Sequence, residues 1–192
     1  MSLALHGHHI LVIATLAFAT AVLLPSWYTS PNDQIQRNVF DICTINPYSC
    51  RWTLLPTSDN ITIRTSKDFI DYLVNLDFPI SVFPILVAST AIACAGISLI
   101  GLLFGSWYIQ RYSDDIGSKW ILILTTICVF LSFVLSCGVW AIMLTTNLHQ
   151  NDTNIKTVRL EDFGFSLWIN IGASGAYFYS FLIYLITACK HC

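Results

Sequence analysis

The sequence predicts an all-α transmembrane protein: a left-handed four-helix bundle carrying a small extracellular antiparallel β-sheet in its first loop. Three observations predict it. Only 10% of the 192 residues are charged while 55% are hydrophobic, against about a quarter charged in an ordinary soluble domain. A chain this short cannot hide so much apolar surface from water, so lipid must solvate it. Four stretches are almost free of Asp, Glu, Lys and Arg: Met1 to Gln36 (broken only by Asp33), Phe78 to Gln110, Trp120 to Gln150 and Phe163 to Cys189. Finally, Cys43 and Cys50, the two cysteines outside the spans and the tail, fall together in one long loop.

Trimmed at prolines and polar clusters, the stretches place membrane spans at 8–26, 80–106, 119–145 and 164–188 of one four-span domain covering 1–192. Each meets the ~20 residues a helix needs to cross ~30 Å of hydrocarbon. Barrel strands would be shorter and would alternate polar with apolar residues, which these do not. Aromatics mark the ends: Trp27 and Tyr28, Trp107 and Tyr108, Trp120, and Trp168. In the first span, Ala17-Phe18-Ala19 is a passable signal-peptidase site, but the basic segment that precedes such a site is missing, so this run reads as a retained helix.

Orientation sets two signals against a third. Arg111, Lys119 and Lys190 lie on the side read as cytosolic, whereas Arg37, Arg51, Arg64, Lys67, Lys156 and Arg159 lie on the other. That tally opposes the assignment, but long translocated loops are discounted in the positive-inside rule. The sequons Asn60-Ile61-Thr62 and Asn151-Asp152-Thr153 sit in the first and third loops, 27–79 and 146–163, which an even number of spans puts on one face. Cys43 and Cys50 share the first of those loops. Together they predict a lumenal, oxidising side for these loops and cytosolic N- and C-termini.

Within the first loop, Asn38 to Cys43 and Cys50 to Leu55 read as strands around the turn Asn46-Pro47-Tyr48-Ser49. Cys43 and Cys50 then become cross-strand neighbours, and a disulfide closing that short loop stabilises the sheet by about 2.5 kcal/mol. After Pro56, Ser66 is placed to N-cap a helix over 67–76 that ends before Pro79.

The sequence reading puts His6, His8, His9, His149 and His191, with every acid and base, outside the hydrocarbon, His8, His9 and Lys119 standing at the outermost ends of their spans. A proton relay needs an ionisable group inside it, so a transporter is not expected. The histidines near the N-terminus read as part of a solvated end rather than a metal site, and no cofactor is expected. No nucleophile–base pair is placed to assemble, so the chain does not read as an enzyme, and its net charge of −2 suggests no nucleic-acid partner. Asn170 is expected to make an interhelical hydrogen bond. Ala14, Ala17 and Ala21, Gly101 and Gly105, and Gly172, Ala173 and Ala176 are small-residue stripes that let helices approach, within this bundle first and with membrane neighbours second. Cys189 and Cys192 are candidates for S-palmitoylation; Cys94, Cys128 and Cys137 read as small apolar residues.

In order, Trp27, the triplet Asn38-Val39-Phe40, Cys43, Cys50, a short helix before the second span, and Phe163-Gly164-Phe165-Ser166 opening the fourth span resemble a known pattern. It is that of the claudin, peripheral myelin protein and epithelial membrane protein superfamily of animal tetraspans. The resemblance covers nearly the whole chain. Asn-Val-Phe stands where that family has Gly-Leu-Trp, six residues separate the cysteines instead of the family's longer interval, and the C-terminus Cys189-Lys190-His191-Cys192 lacks the Tyr-Val ending of many claudins. The resemblance implies a plasma-membrane structural protein of cell–cell contacts, associating with like proteins in cis or in trans through its extracellular sheet. The alternative it implies is an auxiliary subunit that tunes an ion channel or receptor. A paracellular pore fits less well, because Asp33, Arg37, Asp41 and Arg51 mix both signs along the sheet.

Overall fold

A computed structural model describes residues 2–25, 27–30, 35–45, 48–52, 82–111, 117–149 and 162–191. They form four long helices, α1 (Ser2–Leu23), α2 (Val82–Gln110), α3 (Gly117–His149) and α4 (Phe165–His191), with four short strands between α1 and α2. All four helices are long and apolar enough to cross a membrane, and the chain is a multi-pass membrane protein. The helices outrun most of the span limits, because backbone leaving hydrocarbon keeps its hydrogen bonds most simply by staying helical. The described helices fall short of those limits at the starts of α2 and α4, Val82 and Phe165 against 80 and 164, and most clearly at the end of α1, which stops at Leu23 instead of residue 26. Leu24 N–H makes the last helical bond, 2.9 Å to the Thr20 carbonyl, and Pro25 offers no N–H to continue.

The helices pack in a ring, α1 on α2, α2 on α3, α3 on α4 and α4 back on α1. Leu11, Ala14, Phe18 and Ala21 line the buried side of α1, and Phe18 meets the Tyr177 ring edge-on at 6.3 Å. The Ala14/Ala21 stripe therefore works as expected, with Ala17 half-buried beside it. Gly101 lets α3 approach so closely that a Cβ there would stand 3.3 Å from Cys128 Cβ. The stripe on α4 splits: Ala173 is buried, whereas Gly172 is exposed with open space around it, so it does not help close this bundle. The hundred-degree step between successive helical residues turns the two apart. Buried hydroxyls of Thr15, Thr126, Ser132 and Thr187 return to carbonyls one turn back on their own helices. Cys94 and Cys128 are buried, and the Cys94 thiol reaches the Ser132 carbonyl on α3. Leu103 and Trp120, 71% and 74% exposed, face outward, where lipid is the solvent.

The strands β1 (Tyr28–Ser30), β2 (Ile35–Arg37), β3 (Asp41–Ile45) and β4 (Tyr48–Trp52) form one antiparallel meander in chain order. Cys43 pairs with Cys50 in register and is disulfide-bonded to it. The limits differ from those read in the sequence. Asn38 donates its backbone N–H to the Asp41 carbonyl at 2.9 Å and its side-chain amide to the Asp41 carboxylate at 2.6 Å, so Asn38 to Phe40 turn and the strand begins at Asp41. Tyr48 and Ser49 belong to β4, which ends its described part at Trp52. Strands β1 and β2 were not foreseen; at three residues each, Tyr-Thr-Ser and Ile-Gln-Arg show no alternation to read. Thr53 to Leu55, Ser66 and the helix expected over 67–76 lie outside the described residues.

Candidate functional site: a sheet seated on the helix bundle

The sheet lies at the end of the bundle where α1 and α3 finish and α2 and α4 begin. Trp27 is the first fastener. It is fully buried, and its indole N–H donates to the Ala21 carbonyl at 2.7 Å. That carbonyl is among the last of α1, which have no partner further along the helix, so one side chain both fills the mouth and caps α1. The second fastener is the β2–β3 turn. Val39 at its tip has no exposure, while Phe40 beside it is half-buried against the core. Size alone favours Phe40 as the anchor; the tight turn sends neighbouring side chains apart and gives Val39 the deeper place.

Two further fasteners involve pairings that no local motif announces. Arg37 on β2 donates from its guanidinium to Asn147 Oδ1 at 3.0 Å, and Asn147 donates in turn to the Met143 carbonyl of its own helix at 2.7 Å. Beside this pair lies a cavity of about 20 Å³ between Ile42, Val87 and Met143, room for one water. On the other edge, Tyr28 bridges to Phe163, their rings 5.3 Å apart, and Gly164 N–H donates to the Trp27 carbonyl at 3.1 Å. Ser166 at the start of α4 donates to the Pro25 carbonyl at 2.9 Å. The Phe163 to Ser166 stretch thus lies against the residues that follow α1. A single chain could reveal neither pairing, because both join residues more than a hundred positions apart.

The structure therefore gathers Trp27, Asn38, Val39, Phe40, Cys43 and Cys50 at one end of the bundle. Asp41 stands near the two sulfurs, but these are bonded to each other, so no thiolate is offered to a metal. Asn60, Asn151 and Cys192 lie outside the described residues, and Cys189 is exposed in the last turn of α4 at the opposite end. Asn170 bonds across helices as expected: it accepts from Ser136 of α3 at 3.0 Å, and Ser136 lies 2.7 Å from Ser174.

The opposite end corrects two expectations. His6, His8 and His9 are helical residues of α1, in a stretch long and apolar enough to cross a membrane, where a solvated end was expected. An apolar run with several histidines still forms helix, because lipid leaves its backbone no other partners. His8 turns between helices, its Nδ1 3.4 Å from the Tyr184 hydroxyl of α4 and its Nε2 3.2 Å from the Ser106 hydroxyl of α2. By distance it makes the base–hydroxyl pair that the sequence did not promise, backed by a tyrosine instead of a carboxylate. The chain as a whole matches no protein-family model and no curated protein.

Proposed function

We propose that this chain is a claudin-like structural protein of cell–cell contacts, which associates in cis or in trans through its β-sheet. The observation that carries the reading is the seating of a disulfide-linked sheet on the bundle by Trp27, Val39 and the Arg37–Asn147 bond. A sheet held at that many points is a rigid surface outside the membrane, suited to binding a partner with little ordering cost. On this reading the bundle is left-handed, the sheet is extracellular, both termini are cytosolic and the plasma membrane is the working location. Asn60 and Asn151 carry glycans, Cys189 and Cys192 are palmitoylated, and the protein works without catalysis, metal or cofactor. A second reading, an auxiliary subunit of an ion channel, draws on Gly96, Gly172 and Gly175, which face outward with open space around them and would admit a neighbouring helix closely.

Localisation with affinity purification from native tissue separates the two readings. Enrichment at contacts with like chains co-purifying supports adhesion; a channel recovered at fixed stoichiometry supports the auxiliary role. Orientation has its own test. Removing Asn60 and Asn151 together should abolish a glycosidase-sensitive mass shift, and a C-terminal tag should be reachable only after permeabilisation. A tag exposed on intact cells would invert the topology.

A further inference from the structure

The inner contact of His8 has no place in a purely structural account. Histidine is the side chain whose charge changes near neutral pH, and an ionisable group inside a span marks function unless something else accounts for it. Here the ring touches two other helices at once, Tyr184 of α4 through Nδ1 and Ser106 of α2 through Nε2. Two glycines make that meeting possible. A Cβ on Gly105 would stand 2.8 Å from the Tyr184 hydroxyl and 2.9 Å from His8 Nδ1, and one on Gly7 would stand 2.8 Å from Ile183 Cγ2. Ser180 adds a bond from α4 to the Gly7 carbonyl at 2.9 Å.

We propose that His8, Tyr184 and Ser106 form a proton-controlled latch that clamps the start of α1 to α2 and α4. A neutral imidazole has one N–H and one lone pair, and a hydroxyl can serve either, so both ring nitrogens are satisfied whichever tautomer is present. A protonated ring has two N–H groups and a full charge, and needs an anion or water nearby. None of the four helices carries a carboxylate. On α1 the other titratable groups are His6, whose ring meets Tyr179 at 6.1 Å, and His9, both exposed. On α2 they are Cys94 and Tyr108, both buried, and just past its end the exposed Arg111 lies over Trp107. On α4 they are Tyr177, Tyr179, Tyr184, Cys189, Lys190 and His191. Every fixed charge among these is positive, so a proton on His8 drives the ring toward water and frees the first turns of α1.

Deuterium uptake by the amides of Leu3 to Ile10, in lipid nanodiscs and corrected for intrinsic exchange, reads the latch. In the wild type, uptake should be about tenfold faster at about pH 5.5 than at about pH 7.5. His8→Gln keeps a donor and an acceptor without the titration and should remove the pH response. Gly105→Ala should give fast uptake at both pH values. The double variant His6→Gln, His9→Gln should respond as the wild type does. Imidazole ¹⁵N spectra of the unsubstituted protein supply a reading that needs no variant to fold. A wild type with flat uptake, a His8→Gln protein that still responds, or a His8 ring that protonates with no change in uptake overturns the latch.

Discussion

The two ends of the bundle are closed by different chemistry. At the sheet end, the closing groups are a buried indole, a buried valine, a ring pair and a disulfide, with Arg37–Asn147 as the polar addition. At the opposite end, α1, α2 and α4 meet at glycines around one imidazole. The first kind of closure draws on burial and covalent constraint. The second is centred on a histidine, the side-chain type whose ordinary charge change lies nearest neutral pH. With the proposed latch, one chain would hold its sheet firmly at one end and leave the other end able to respond.

The largest effect expected from breaking this contrast is at Trp27. Truncation to Ala removes a fully buried aromatic and uncaps the Ala21 carbonyl, and should cost ~3–5 kcal/mol. That is a large part of a typical domain's stability, so retention in the secretory pathway should follow. Among the other packing variants Val39→Ala should cost most, ~2 kcal/mol, since the same apolar burial is lost on a smaller scale. Phe40→Ala should cost less than Trp27→Ala despite similar chemistry, because Phe40 is only half-buried. Trp120→Ala, at a residue 74% exposed, should leave surface delivery nearly unchanged. Equal delivery of all four variants would mean the sheet is not anchored through its buried residues.

The disulfide should rank close behind. Cys43→Ser or Cys50→Ser should each cost ~2.5 kcal/mol, and the double variant should be no worse than either single one, since partners in one bond do not add. Additive losses in thermal unfolding would separate the pair. Arg37→Met and Asn147→Ala test the polar addition. Each should destabilise the protein by ~2 kcal/mol, the range for a hydrogen bond to a charged group, with a coupling near that size in the double variant. No coupling would leave Arg37 outside the closure.

How much of this was legible follows from the range of each interaction along the chain. Four helices follow from uncharged runs longer than a bilayer is thick, and the Cys43–Cys50 pairing from a turn between two strand-like segments. Both signals are local. The Arg37–Asn147 and Ser166–Pro25 bonds join residues 110 and 141 apart, and neither leaves a local pattern. Val39 is fully buried and the larger Phe40 only half-buried, because size predicts burial less well than the direction a turn imposes. His8 was misplaced for a related reason: three histidines near a terminus look solvated, and only the neighbouring Gly7 and Gly105 hint that another helix comes close.

The smallest expected effect lies between the two ends, where Ser136, Asn170 and Ser174 join α3 to α4. Asn170 is fully buried, and its side-chain oxygen accepts from Ser136 while its backbone carbonyl accepts from Ser174 at 2.9 Å. A buried amide in a membrane invites a large estimate, since hydrocarbon offers no substitute partner. Measured interhelical bonds in bilayers are smaller, because the helices find other partners when separated; a coupling of ~0.6 kcal/mol is the ordinary size. The Ser136→Ala, Asn170→Ala cycle should therefore give a coupling well below that of Arg37 and Asn147, although the latter pair is less deeply placed. The reason is charge: the guanidinium bond loses a charged donor's partner, whereas the Ser136 bond loses a neutral one. Thermal unfolding of the four proteins of each cycle in the same lipid supplies the comparison. A Ser136–Asn170 coupling equal to or above the Arg37–Asn147 value would show that the middle of the bundle, not its sheet end, holds its strongest polar fastener.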